Sequence, residues 1–166
     1  MQLRKIKASD NFEIEKIIKA SIVEFGLPTT GTAYEDIETT RMYESYQGNS
    51  EVYFVIEENG IAVGGGGIKA LKNNTDKVCE LQKMYFSPTI RGKGYGKIMI
   101  EKCLQTAKNL GYKKCYLESD PSMKTAIHIY KKFGFIHLKE PIGGTGHHAC
   151  GIWMLKELDT NFTNSH

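Results

Sequence analysis

Residues 80–100 read ELQKMYFSPTIRGKGYGKIMI: an apolar strand pattern from Glu80 to Phe86, a turn, a glycine-rich loop and the opening of an amphipathic helix. Glycines at 92, 94 and 96, set between a strand and a helix, expose successive backbone N–H groups at a helix N-terminus, where the helix dipole also favours an anion. A phosphate-bearing ligand is the expected occupant. Two better-known phosphate loops fit poorly. A Walker A loop needs glycine where Arg91 stands and Ser or Thr where Ile98 stands, and the dinucleotide fingerprint G-x-G-x-x-G needs its third glycine at Lys97 or Met99. Glu118, at the end of the next strand, only partly mimics that fingerprint's ribose-binding acid.

Working outward, Ile100, Cys103, Leu104, Ala107 and Leu110 form the inward face of the helix, Gly111 stops it, and Lys114 to Glu118 is the next strand. A strand, helix and strand in this order require a parallel crossover. Upstream, Gln2 to Ile6 reads as a short strand. Asp10 and Glu13 stand at capping-box spacing before a helix with Ile14, Ile17, Ile18, Ile22 and Phe25 on one face. After the turn residues GLPTTGT, the pattern Tyr34, Ile37, Met42, Tyr43, Tyr46 predicts a second helix ending near Gly48. VYFVIEE, then Asn59-Gly60, then IAVGGGGIKAL predict an antiparallel hairpin, because Asn-Gly supplies the positive φ angles of a type I′ turn. Downstream come a helix over Ser122 to Lys132, stopped by Gly134, a strand from Phe135 to Leu138, the loop PIGGTGHH (residues 141–148) and a last strand from Cys150 to Leu155.

The chain has 166 residues and 40% hydrophobic content, enough to bury the core of one domain, expected over residues 1–158. Residues 159–166 read as a polar, disordered tail. No run approaches the roughly 20 apolar residues of a membrane span, and no apolar segment backs the basic N-terminus, so a cytoplasmic protein without a membrane partner is expected. Cys79, Cys103, Cys115 and Cys150 form no CxxC pair, which argues against a zinc ribbon or a disulfide framework. The net charge of +3, from 22 basic and 19 acidic residues, is too small to imply nucleic acid but suits an anionic ligand.

The segment RGKGYG, Arg91 to Gly96, resembles the [RQ]xxGx[GA] signature of the GNAT superfamily of acyl-CoA N-acyltransferases. The resemblance spans nearly the whole chain. KMYFSPTIRGKGYGKIMI is similar to that family's strand, loop and helix, and AIHIYKKFGFIHL to its later helix and strand, with the Tyr-x-x-x-Gly-Phe run at Tyr130, Gly134 and Phe135. It implies an α/β fold: a mixed, mostly antiparallel sheet of six to seven strands with helices on both faces and a splayed parallel pair that holds acetyl-CoA.

What the resemblance implies about the site follows from those positions. The pyrophosphate of acetyl-CoA falls to Arg91, Gly92, Lys93, Gly94, Tyr95, Gly96 and Lys97. The pantetheine arm falls to Met84, Tyr85 and Phe86, beside a β-bulge, with the Met84 N–H as donor to the thioester oxygen. Ser119, Tyr130 and Lys132 complete the cofactor contacts, and the Tyr130 hydroxyl is placed to protonate the departing thiolate. Glu80, four residues before Met84, occupies the position of a carboxylate base; an alkylammonium of pKa about 10.4 needs such a base or a water chain. Glu118 is its rival, on the side of the sheet where open α/β folds place ligands, and His147 and His148 stand third. One departure matters: Met123 stands where the family commonly carries asparagine, seven residues before the tyrosine, so that residue's contacts do not carry over.

The implied acceptor pocket, about Phe25 to Tyr46 with Gly143 to His148, carries Phe25, Tyr34, Glu35, His147 and His148 as expected substrate contacts, with Asp36, Glu38, Tyr43 and Tyr46 nearby. Carboxylates and aromatics there suit a cationic amine on a small molecule or peptide. No metal is expected, since His147, His148 and Cys150 lack a fourth ligand at recognisable spacing. A homodimer fits the family's habit, with no residue that demonstrates it. The expected function is acetyl transfer from acetyl-CoA to a primary amine by direct attack in a ternary complex. The alternative is a catalytically silent acyl-CoA-binding or sensing module.

Overall fold

A computed structural model of the chain describes residues 1–74, 76–147 and 149–158; the expected polar tail lies outside them. The described residues form one seven-stranded sheet in the order β1-β2-β3-β4-β5-β7-β6. The strands are β1 (Gln2–Lys5), β2 (Val52–Glu58), β3 (Ile61–Ala70), β4 (Val78–Phe86), β5 (Lys114–Ser119), β6 (Ile136–His137) and β7 (Ile152–Glu157). The helices are α1 (Asn11–Glu24), α2 (Met42–Ser45), α3 (Tyr95–Asn109) and α4 (Lys124–Lys132). β4 and β5 pair in parallel, as the crossover through α3 demands, and the remaining described pairs are antiparallel. Asn59 and Gly60 turn the β2–β3 hairpin at φ 54° and 83°, the left-handed geometry expected of them.

Both faces of the sheet centre are covered, which is why β2 reads VYFVI without polar alternation. Val52, Phe54 and Ile56 pack with Met99, Ile100, Cys103 and Leu104 of α3 on one face. Tyr53 and Val55 pack with Ile14, Ile18 and Ile22 of α1 on the other. Each isoleucine buried this way stabilises the fold by roughly 1.5–3 kcal/mol. Leu110, expected inward on α3, is 41% exposed, because the helix has already reached its terminal turn before Gly111.

Three local expectations are corrected. The second helix is not continuous: a 3₁₀ turn over Ile37–Thr40 precedes the four-residue α2, with Arg41 at φ −147° between them. The threonine hydroxyls compete for backbone acceptors here, Thr39 Oγ1 donating to the Ala33 carbonyl at 2.7 Å and Thr40 Oγ1 to that of Ile37 at 2.7 Å. Asp10 does not cap α1 with its side chain; its carboxylate accepts the Lys7 N–H at 2.7 Å and a bidentate pair from Arg4 at 2.8 and 3.0 Å, tying β1 to the helix start. α4 begins at Lys124 and not Ser122, because Asp120 Oδ1 accepts both the N–H and the hydroxyl of Ser122 and holds that segment in a turn.

The glycine run of β3 is a packing device. A Cβ on Gly67 would lie 2.6 Å from the Val52 carbonyl oxygen and 2.6 Å from the Tyr53 ring; one on Gly65 would lie 2.5 Å from the same ring. Tyr53, 1% exposed, lies against β3 because those side chains are missing. We predict that Gly67→Ala, which meets a backbone atom unable to retreat, destabilises the protein by about 1–3 kcal/mol and lowers the midpoint of thermal unfolding; an unchanged midpoint contradicts this packing.

Candidate active site

The site begins where β4 breaks its alternation. Pairing with β3 runs from Gly65 opposite Tyr85 to Gly67 opposite Gln82, so Lys83 and Met84 together face Gly66 alone. This is a β-bulge, and Lys83 takes φ +50°, a left-handed backbone that costs a non-glycine residue roughly 1–2 kcal/mol. The Tyr53 hydroxyl secures it by donating to the Lys83 carbonyl at 2.7 Å. Next to the bulge the parallel ladder with β5 ends, its last pair being Glu80 opposite Tyr116. Beyond that pair the strands part, and an open cleft lies between them. Leu81, Met84, Tyr85, Leu117, Ser119 and Tyr130 are among its walls, with Met123, the departure from the family pattern, at its edge.

Glu80, 5% exposed, and Glu118, with its side chain 4% exposed, stand on neighbouring strands at the floor of this cleft. Gln82 donates to Glu80 Oε1 at 2.7 Å, and Tyr46 donates to Gln82 Oε1 at 2.5 Å. Glu118 accepts the Tyr116 hydroxyl on Oε2 and the Thr145 hydroxyl on Oε1, each at 2.6 Å. Burial pushes the Glu80 carboxyl above its usual range; the Gln82 hydrogen bond pulls it back, and the negative charge of Glu118 pushes it up again.

Across from the carboxylates, His147 Nε2 meets Asp36 Oδ2 at 2.7 Å, and Lys83 Nζ stands 3.3 Å from that oxygen and 3.6 Å from Glu38. Lys69 pairs with Glu38 at 3.0 Å. Burial opposes a charge on His147, but the hydrogen bond and charge of Asp36 outweigh it and raise the imidazole above 6.5. Burial likewise works against the Asp36 carboxylate, and His147 with Lys83 outweighs it to hold that group below 3.8. These side chains line a second cavity, which shares Glu80, Gln82, Lys83 and His147 with the first.

Between β4 and α3, Gly92 and Gly94 adopt φ 75° and 88°, and Gly94 is the N-cap of α3. A Cβ on either would meet no atom within 4 Å, so the loop's outer surface is open. No described residue accepts the N–H groups of Gly92, Lys93 or Gly94, and those of Tyr95, Gly96 and Lys97 belong to the first turn of α3, where a helix has no internal acceptor. This loop fits a pyrophosphate. The Arg91 guanidinium does not point outward with it: Nε donates to the Phe86 carbonyl at 2.9 Å, one terminal nitrogen pairs with Glu24 at 2.6 Å, and the group stacks 4.8 Å over the Phe25 ring.

Among the residues expected in the site, Met84, Tyr85, Glu80, Glu118, Ser119, Tyr130 and His147 line the first cavity. Burial pushes the Tyr130 phenol up to about 12 and keeps it protonated at neutral pH. Phe86 and Tyr95 pack against the core beneath the glycine loop, and Lys132 is exposed on α4. Three expected acceptor contacts stand elsewhere: Phe25 lies under Arg91, Tyr34 packs in the core beside α1, and Glu35 accepts the Gly31 N–H. Leu27, Pro28, Thr32 and Ala33 take their place in the wall. His148 lies outside the described residues. Sequence reading missed Lys83, Gln82 and Thr145, since no motif marks a bulge residue or a loop hydroxyl.

Residues 19–135 match the model of the Acetyltransferase (GNAT) family. The chain is 39% identical over 157 residues to the uncharacterized N-acetyltransferase YjgM of Escherichia coli K12, covering 94% of each. In fold it is similar to a GNAT-family acetyltransferase of Staphylococcus aureus Mu50, with a TM-score of 0.83 at 18% identity over 95% of this chain and 99% of that one. It is also similar to yncA of Salmonella typhimurium, solved with its cofactor acetyl-CoA, with a TM-score of 0.78 at 18% identity over 99% of this chain and 98% of that one.

The His147–Asp36 pair carries a pH signature. A raised imidazole pKa stabilises the fold below the unfolded value of 6.5, and this contribution is lost as pH rises through the folded value. The melting-temperature advantage of wild type over Asp36→Asn is therefore expected to be larger below pH 6.5 than in mildly alkaline buffer; an advantage independent of pH across that window contradicts the pairing.

Proposed function

Because the chain belongs to the GNAT family of acetyltransferases, we propose that it moves the acetyl group of acetyl-CoA to a primary amine of a small molecule or peptide, by direct attack within a ternary complex. The observation that carries this reading is the shared cleft: the splayed β4 and β5, a buried carboxylate in Glu80 and a protonated phenol in Tyr130 border one space, and the open glycine loop lies where β4 leads into α3. Solved structures of this fold that carry acetyl-CoA support the choice of donor.

In this reading the loop N–H groups of residues 92–97, with Lys93 and Lys97, hold the pyrophosphate of the substrate. The pantetheine lies along Met84 to Phe86, and the Met84 N–H faces the thioester oxygen as negative charge gathers there. Arg91 acts through position: its ties to Glu24 and the Phe86 carbonyl brace the loop against α1. The amine nitrogen forms a bond to the acetyl carbon while the carbon–sulfur bond breaks. Glu80 accepts the amine proton, directly or through a water, and Tyr130 offers its hydroxyl proton to the departing thiolate. The carboxylates Glu80 and Glu118 favour an acceptor that arrives as an ammonium, and Glu118, with both oxygens already hydrogen-bonded, positions that cation and leaves the proton to Glu80.

The test is the pH profile of amine-dependent thiol release. A carboxyl whose pKa is raised must lose its proton to act as a base, so kcat/KM of the wild type climbs as pH rises through the elevated Glu80 value. Glu80→Gln is expected to lose roughly 10²–10³-fold in kcat/KM at neutral pH and to recover partly under alkaline conditions, where the free amine deprotonates unaided. An unchanged profile in Glu80→Gln overturns the assignment of Glu80 as base.

A further inference from the structure

The cavity network holds more negative than positive charge. Asp36, Glu38, Glu80 and Glu118 are four carboxyl groups facing two lysines, the buried Lys83 and the half-buried Lys69, with the exposed Lys72 also in the lining. A pocket in which acidic side chains outnumber basic ones draws cations toward it.

Three side chains converge on one point. Ligand atoms of Glu80, Glu118 and His147, from β4, β5 and the loop before β7, all lie within 4.8 Å of one another. Each is oriented from behind by a separate partner: Gln82 on Glu80 Oε1, Tyr116 and Thr145 on Glu118, and Asp36 on His147 Nε2. Glu80 Oε2 accepts a hydrogen bond from no described residue, although the side chain is 5% exposed. A proton on Nε2, directed at Asp36, leaves the Nδ1 lone pair facing Glu118 Oε1 at 3.9 Å. That distance is too long for a hydrogen bond and close to the separation of about 3.4 Å between two ligands of one tetrahedral ion bound at ~2.1 Å. A carboxylate behind the far nitrogen of an imidazole is also the usual support of a metal-bound histidine.

We propose that Glu80, Glu118 and His147 form a binding site for one divalent transition-metal cation of the zinc class. Two carboxylate oxygens and one imidazole nitrogen suit zinc or cobalt(II), with water in the remaining position. The ion takes the carboxylates that receive the acceptor's ammonium and the oxygen that accepts its proton. Bound metal therefore excludes the amine while leaving the glycine loop and the pantetheine strand free. Cation binding does not depend on acetyl transfer; competition with the acceptor rests on that reading.

The experiment titrates zinc chloride into the full chain by isothermal calorimetry and follows cobalt(II) by its visible d–d absorption. Expected are one ion per chain at micromolar concentrations, at least tenfold weaker binding in Glu118→Gln and in His147→Gln, and an imidazole-dependent change in the cobalt spectrum. Both variants are first checked for a thermal midpoint near the wild type, and Asp36→Asn, which removes the support behind His147 together with the Lys83 ion pair but no ligand atom, is expected to weaken binding less than either. In turnover, zinc is expected to raise KM for the amine and leave KM for acetyl-CoA unchanged. No binding of either ion up to millimolar concentration overturns the proposal, as does binding that both variants retain in full.

Discussion

The left-handed turn of the backbone at Lys83 is the constraint on which the site depends. Inserting one extra residue opposite Gly66 does three things at once. It bends β4 near the point where its ladder with β5 ends, and so opens the cleft. It takes Met84 out of regular register with β3, beside the cleft. It also swings the Lys83 side chain away from the face shared by Cys79 and Leu81 and onto the face of Glu80 and Gln82, where it meets Asp36 and Glu38. A strand without the bulge would present the lysine to the hydrophobic core, where an unpaired ammonium is not tolerated. The strain is offset by the Tyr53 hydroxyl bond and two ion pairs, and Tyr53 reaches the strand only because β3 carries glycine at 65 and 67. The glycine run and the site are thus parts of one arrangement.

A second consequence concerns charge. Folding gathers residues from the segment before α2, from β4, from β5 and from the loop before β7 into one buried to half-buried polar network. Two of its contacts, His147 to Asp36 and Thr145 to Glu118, strap the late loop over the cleft. Ala149 adds a backbone bond to the Gly31 carbonyl, closing the same side. The loop beside the cleft is therefore held by charges that a cationic occupant would disturb, which would link occupancy of the cleft to the position of the loop.

Much of the frame was legible in the sequence because its signals are local. Asn59-Gly60, the isoleucine stripe of α1 and the three glycines of the loop each act through backbone geometry or a repeating face, and each stands where its pattern placed it. Glu80 and Tyr130 were expected through resemblance, at positions tied to the loop by fixed spacing along a strand and a helix, and both line the cleft. The segment from Tyr34 to Gly48 was misread, since its apolar spacing suits a helix while its threonines bond to the backbone and break it. Lys83 was invisible for a deeper reason: period-two alternation assigns it to the wrong face, and nothing in the letters KMYF announces a bulge. The partnership of Asp36 with His147, 111 residues apart, belongs to tertiary structure alone.

The central claim is that the parted strands and the glycine loop together form the seat of acetyl-CoA. Amide hydrogen exchange read residue by residue, with and without acetyl-CoA, tests it without any knowledge of the acceptor. The account predicts slowed exchange at Met84 to Phe86 and across residues 92–97, with β1 and β6 unaffected. Equal exchange at those amides in both conditions, or protection confined to the cavity around Asp36 and Lys69, would contradict it.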